Sequence, residues 1–312
     1  MSAATLLLTH PACLEHDGGD YHPECPDRLR AVLRALAADE FAGLDRAEAP
    51  LATPAQLAFA HPAGYVAAIL GIRPPRGERV QLDGDTAMNH ASAEAAARAA
   101  GAAVAAVDAV CGGTARRAFC ATRPPGHHAE PSRPMGFCLF ANAVVAARHA
   151  QRAHGLGRVA ILDFDVHHGN GSQACVEADP TILYASSHQW PLYPGTGHPK
   201  ERGTTGNVCN AILPPGSGGA EFRAAWEGML LPAVRAFAPE LVVVSAGFDA
   251  HAADPLAQLN VVEADFAWLT DRVCEAADRL CGGRVVSLLE GGYDLDALAN
   301  STAAHVRALM RG

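Results

Sequence analysis

The chain has 312 residues, 49% of them hydrophobic, enough for one large α/β core. Twenty-four Lys and Arg stand against 33 Asp and Glu, and this formal charge of −9 argues against a nucleic-acid or anionic-membrane surface. Nine cysteines lie scattered with no Cys-x-x-Cys pair, so reduced, core-packed thiols and a cytoplasmic location are expected rather than a disulfide frame.

Along the chain, Leu6-Leu7-Leu8 is too short and too weakly flanked for a signal peptide or a membrane span. An Ala-rich stretch over 91–110 predicts a helix. Strand 117–122, helix 139–153, strands 159–166 and 181–185, helix 220–237, strand 241–246, helix 263–280 and strand 285–289 follow. Asp265, Asp294 and Ser301 read as early-helix or capping residues. The segments 191–206 and 214–219, rich in Gly and Pro, read as surface connections. Alternating strands and helices imply a mainly parallel sheet covered on both faces, and no linker or repeat divides 1–312, so one domain is expected.

Ligands in such sheets bind beyond the carboxyl ends of the strands. Four strand ends carry unusual polar groups here: RPPGHHA at 123–129, Asp163-Phe164-Asp165-Val166-His167-His168, Ala246-Gly247-Phe248-Asp249, and Glu290-Gly291-Gly292-Tyr293. A strand would place Asp163, Asp165 and His167 on one face, and buried carboxylates are costly unless paired or metal-bound. Asp165, His167 and Asp249 therefore form a candidate metal site with an open position, suited to zinc and equally to iron(II), manganese or cobalt. His127 and His128 offer a proton acceptor and donor beside it, and Tyr293 a hydrogen-bond donor for a developing oxyanion. Taken singly these features are ordinary. A lone Asp-x-His is more often a capped strand end, tandem histidines a surface pair, and Gly-Gly-Tyr a turn; His168 should point away from His167, and His251 is a weak ligand candidate. Their coincidence at four strand ends reverses that reading.

The runs RPPGHHA, DFDVHHGNG, YPGTG, SAGFDAHAADPL and LEGGYDL resemble those of the histone deacetylase and acetylpolyamine amidohydrolase superfamily, with similarity from Tyr21 almost to the C-terminus. The resemblance implies an arginase/deacetylase-like three-layer α/β/α fold and zinc-dependent cleavage of an acyl amide. It implies Asp165, His167 and Asp249 as metal ligands, His128 as general base, His127 as its electrostatic partner, and Asp163 as the carboxylate bonded to the first histidine. Tyr293 matches the group that polarises the scissile carbonyl. Gly136, Phe137 and Tyr193 match the walls of an acyl-lysine tunnel, Arg28 its inner end and Asp85 a rim carboxylate. A structural potassium ion near Asp163, Asp165, His167, Ser186 and Ser187 is a further implied feature.

Two departures within the family carry information. Asn170 stands where some members have an aspartate beside the second histidine, which resembles the class II-like, bacterial-type branch. Leu256 stands where a polyamine-preferring branch has a glutamate, which favours an acetylated lysine peptide or protein over an acetylated small amine. A binding module without catalysis is the alternative of a different class, opposed by the intact Tyr293 and both histidines. A binuclear arginase-like centre lacks a further carboxylate, since Ala250 and His251 follow Asp249. Homo-oligomerisation stays open.

Overall fold

The computed structural model describes residues 4–311. Its strands are β1 Thr5–Thr9, β2 Asp45–Glu48, β3 Val80–Gln81, β4 Ala87–Met88, β5 Arg117–Cys120, β6 Val159–Asp163, β7 Ile182–Gln189, β8 Val208–Leu213, β9 Leu241–Ala246 and β10 Val285–Leu289. The helices are α1 Pro26–Ala35, α2 Pro54–Leu57, α3 Ala63–Gly71, α4 Ser92–Cys111, α5 Asn142–His154, α6 Asn170–Val176, α7 Gly219–Ala225, α8 Leu231–Phe237, α9 Glu263–Cys281 and α10 Leu295–Arg311. Eight strands make one sheet in the order β2-β1-β5-β10-β9-β6-β7-β8, and every pairing in it is parallel. β3 and β4 form a separate antiparallel pair.

The pleat sorts the apolar side chains between two helical layers. Ala160 and Leu162 of β6, with Val242 and Val244 of β9, face one core beside residues of α1, α9 and α10. Val159, Ile161 and Val243 face the opposite core beside alanines and valines of α4 and α5. The central strands β5, β6, β7, β9 and β10 are buried along their whole length, as strands of a parallel sheet covered on both faces are. This is the three-layer α/β/α arrangement.

Helix ends follow local chemistry. Asp294 Oδ1 accepts from Ala297 N at 2.8 Å to cap α10, and Asp265 Oδ2 accepts from Val262 N at 3.1 Å at the start of α9. Gly155 and Gly282 end α5 and α9 at φ of 67° and 65°. Ser301 is no cap: it lies buried in the interior of α10. Helix α5 starts at Asn142, because Leu139 and Phe140 are drawn instead into a third apolar cluster with Leu57, Val66 and Met88. The helical stretch before β9 is interrupted by a π-helical turn, Trp226–Leu230.

The order of connection places the crevice. From β6 the chain moves to β7 on one side, and from β9 it moves to β10 on the other. The two strands are nevertheless neighbours, paired with Asp163 opposite Ser245. Their carboxyl ends therefore flank a topological switch point, where the outgoing loops diverge and leave room for a ligand.

Candidate active site

Strand β6 ends at Asp163, three residues before the expected end at Val166. Beyond it the carboxylates bend the chain themselves. Asp163 Oδ1 accepts from Asp165 N at 3.2 Å, and Asp165 Oδ1 accepts from His167 N at 2.9 Å. These side chain to backbone bonds compete with the ladder and turn the segment across the end of the sheet. Asp165 and His167 thus converge by successive turns rather than by the pleat of a strand. From β9 comes Asp249, whose Oδ1 accepts from Val166 N at 2.8 Å and braces the same turn.

The three candidate ligands meet. Ligand atoms of Asp165, His167 and Asp249 lie within 4.8 Å of one another, and all three residues are buried. His167 Nδ1 stands 3.1 Å from Asp165 Oδ1 and 3.2 Å from Asp249 Oδ2. Burial, then the charge of Asp165, pushes the Asp249 carboxyl up to about 7. Burial disfavours the His167 cation, but Asp165 and Asp249 outweigh it and lift its pKa to about 10. Two carboxylates this close in a buried pocket call for a shared positive charge, which the imidazolium of His167 supplies and which a divalent ion would supply with the imidazole as a neutral ligand. The donor set fits a divalent ion with N and O ligands. His251 lies away from this cluster, with its Nε2 3.5 Å from Glu263.

The tandem histidines lie beside the cluster with different partners. His127 Nδ1 is 3.2 Å from Asp163 Oδ2, and its Nε2 is 3.8 Å from Asp165 Oδ2. Burial opposes its charged form, but Asp165 and Asp163 outweigh that and hold its pKa well above the usual range. His128 Nδ1 meets Asn170 Oδ1 at 2.8 Å. Asn170 Nδ2 in turn donates to Glu130 Oε1 at 2.8 Å, which fixes the amide's orientation, because a carboxylate accepts. Asn170 Oδ1 must then accept, so His128 carries its proton on Nδ1 and keeps Nε2 free. Burial, followed by the charges of His127 and His167, holds its pKa well below normal. Adjacent histidines are thereby driven to opposite protonation states.

A cavity of about 230 Å³ opens over the cluster, lined by Asp85, His128, Gly136, Phe137, His167, Leu192, Tyr193, Leu256 and Tyr293. The ring of Tyr193 lies edge-on to His128 at 5.2 Å, and that of Phe137 edge-on to Tyr293 at 6.0 Å. Gly136 and Phe137 both hold left-handed backbone, at φ of 56° and 68°. Asp85 Oδ1 and Thr86 Oγ1 fix that turn by accepting from Gly136 N at 3.1 Å and Phe137 N at 3.0 Å. Asp85 therefore lines the rim and shapes the wall as well. A Cβ on Gly136 would run into the His128 ring. We expect Gly136→Ala to cost roughly 1–2 kcal/mol in backbone strain and to lower kcat/KM at least about tenfold through a displaced His128. Unchanged kinetics in a stably folded variant would remove the argument for this tight packing.

Several groups that hold the site have no supporting role in the sequence reading, which gives Arg28 only as the tunnel's inner end and Glu290 only as part of a polar strand end. Arg28, fully buried, donates from Nε to Gly292 O at 2.5 Å and from Nη2 to Glu290 O at 2.6 Å, and lies 4.8 Å over the Tyr293 ring. Glu24 joins Arg28 to Arg123, making a buried ion-pair network beneath the Tyr293 loop. Asp254 Oδ2 accepts from Tyr293 N at 2.7 Å, while its Oδ1 accepts from Leu256 N at 3.0 Å. Glu290 Oε2 accepts from Gly126 N and His127 N at 2.7 and 3.2 Å, tying the tandem-histidine loop to β10. Only the spacing of Glu24 and Arg28, one helical turn apart, hinted at any of this.

His168 points away as expected, bonded to Thr196 Oγ1 and Gln173 Oε1 at 2.8 and 2.9 Å. The segment 191–206 is more than a surface connection, since it supplies Tyr193 to the cavity and packs Gly197 against His168 and His188. The hydroxyls of Ser186 and Ser187 meet His188 Nδ1 at 2.9 Å and Trp226 Nε1 at 3.0 Å. These contacts lend the expected potassium ion no support.

A parallel α/β/α sheet with this constellation at its switch point defines an arginase/deacetylase-like hydrolase fold. The histone deacetylase domain matches residues 22–309, and the chain belongs to that family. It is 39% identical to Histone deacetylase 14, chloroplastic, of Arabidopsis thaliana, over 99% of this chain and 78% of that protein. It is 37% identical to Polyamine deacetylase HDAC10 of Homo sapiens, over 99% of this chain and 47% of that protein. The crystal structure of the HDA15 HD domain superposes with a TM-score of 0.92 at 35% identity, covering 100% of this chain and 89% of that one.

Proposed function

We propose that this chain is a zinc-dependent amidohydrolase that removes the acetyl group from acetyl-lysine in peptides or proteins, releasing lysine and acetate. The observation that carries the reading is the buried Asp165, His167 and Asp249 cluster, whose His167 lines the same cavity as His128 and Tyr293. These three residues would hold the ion, which when bound polarises the scissile carbonyl and makes water more acidic.

The chain's own groups then divide the work. Aromatic walls from Phe137 and Tyr193 take up the aliphatic lysine stem and exclude bulk water. His128, neutral and with Nε2 free, takes the proton from the attacking water. His127, paired to Asp163, keeps positive charge beside the forming tetrahedral centre. Tyr293 donates its hydroxyl proton in a hydrogen bond to the oxyanion. The histidine pair returns a proton to the leaving amine, which completes the cycle. The nine free cysteines suit a reducing compartment, in keeping with a cytoplasmic enzyme.

The test is turnover of matched acetyl-lysine peptides and acetylated polyamines by metal-defined protein. Preference for the peptide supports the reading. Preference for the polyamine moves the protein to the small-amine branch, and no turnover of either at full metal loading leaves acyl-lysine binding without catalysis. Leu256 bears on the choice, because it presents an apolar side chain to the cavity where an amine-bearing substrate would need an anion. Leu256→Glu is expected to raise kcat/KM for acetylated polyamines roughly five- to tenfold, the scale of one partly exposed ion pair. An unaltered polyamine-to-peptide ratio would mean that other rim residues decide the substrate.

A further inference from the structure

A second convergence of imidazole and carboxylate lies at the other edge of the sheet. Helix α4 ends just before β5 begins and α5 ends just before β6 begins, so their carboxyl ends meet beside the amino ends of the strands. There His149 Nε2 and His154 Nε2 approach the same oxygen, Asp108 Oδ1, at 2.7 and 2.8 Å. One ligand atom from each of the three residues lies within 4.8 Å of the others.

We propose that Asp108, His149 and His154 form a second site for a divalent transition ion such as Zn²⁺, one that fastens α4 to α5 and takes no part in catalysis. Two imidazole nitrogens and one carboxylate oxygen are the donors that zinc, copper, nickel and cobalt share. His149 is buried, and its ring is stacked nearly parallel to Phe59, 18° between planes at 6.4 Å, so its nitrogen is aimed before any ion arrives. Asp108 is exposed and His154 half-buried, which lets water fill the remaining coordination positions. The electrostatics also ask for a cation. Asp108 sits in the last turn of α4, where the helix dipole disfavours an acid and no basic residue accompanies it. The carboxyl end of α5 adds a second negative helix end at the same place, offset in part by Arg152 in its last turn. Ordinary hydrogen bonds from two neutral imidazoles would satisfy Asp108 without an ion, and the two arrangements differ in metal stoichiometry.

The experiment is metal counting on the whole chain, stripped with a chelator, re-equilibrated at buffered free Zn²⁺ and freed of unbound ion. Wild type should hold two equivalents, with the second raising Tm as it binds. His154→Ala and Asp108→Asn should each hold one, lose that rise in Tm, and keep wild-type turnover at saturating metal. Asp249→Ala should retain the peripheral equivalent, so that loss of the catalytic-site reading and loss of this one are separable. One equivalent in wild type, or two in both His154→Ala and Asp108→Asn, overturns the proposal.

Discussion

Tyr293→Phe is expected to lower kcat about 10²–10³-fold while leaving metal content, stability and peptide binding close to wild type. The reason is that almost everything placing this side chain survives the change. Arg28 grips the loop through the carbonyls of Gly292 and Glu290, and Asp254 accepts from the backbone N–H of residue 293. The edge-on contact with Phe137 and the guanidinium of Arg28 over the ring involve ring atoms that phenylalanine keeps. What disappears is one hydroxyl on the wall of the cavity. On the proposed mechanism that hydroxyl meets charge only as the tetrahedral centre forms, so its removal raises the barrier rather than KM. Losing one such oxyanion donor costs about 2.7–4 kcal/mol in other hydrolases. Steady-state kinetics on an acetyl-lysine peptide, with metal content measured on the same samples, separates the cases. Undiminished kcat would reject the role of Tyr293. A large rise in KM with kcat intact would make it a wall of the binding site instead.

The layout of this site is legible in the sequence because parallel sheets put chemistry at one edge. Unbroken apolar runs mark β5, β6, β9 and β10, and the polar groups that follow each run are the ones the fold gathers. The expected order of secondary structure fails where that signal fades. Strand β2, Asp45–Glu48, is exposed and charged, so it reads as a loop until β1 pairs with it. Strand β8 sits at the other edge with mixed polarity, and its pairing with β7 comes from the tertiary fold. The reach of β6 was overstated because polar alternation in Asp163, Asp165 and His167 mimics a strand, whereas their carboxylates capture backbone N–H groups and end it. Supporting residues were the hardest to see. Arg123 lies far along the chain from Glu24 and Arg28, and Asp254 and Glu290 serve backbone N–H groups of other loops. Nothing in a linear pattern announces a partner that is a peptide bond.

Asp249→Ala is expected to weaken metal binding at the catalytic cluster by more than about 100-fold and to abolish turnover at ordinary metal concentrations. Changes to groups that merely support metal ligands cost 10–100-fold in affinity or activity, so a direct ligand should exceed that range. Two effects combine at this position. Asp249 Oδ2 stands 3.2 Å from His167 Nδ1 and is one of the three proposed donor groups, while Oδ1 holds Val166 N at 2.8 Å and so shapes the turn that carries Asp165 and His167. Asp249→Asn separates them, because its amide oxygen can still accept from Val166 N while the charge is gone. It should fold like wild type and still lose most of its metal. Asp163→Asn serves as the contrast, since Asp163 meets His127 and Tyr184 rather than the donor atoms of the cluster. That variant should keep its metal and lose turnover through His127. Counting is best done in the His154→Ala background, so that any peripheral ion does not mask the result. A full equivalent retained by Asp249→Asn in that background would strike Asp249 from the ligand set, and a metal-free Asp163→Asn would extend the set to a residue the geometry keeps outside it.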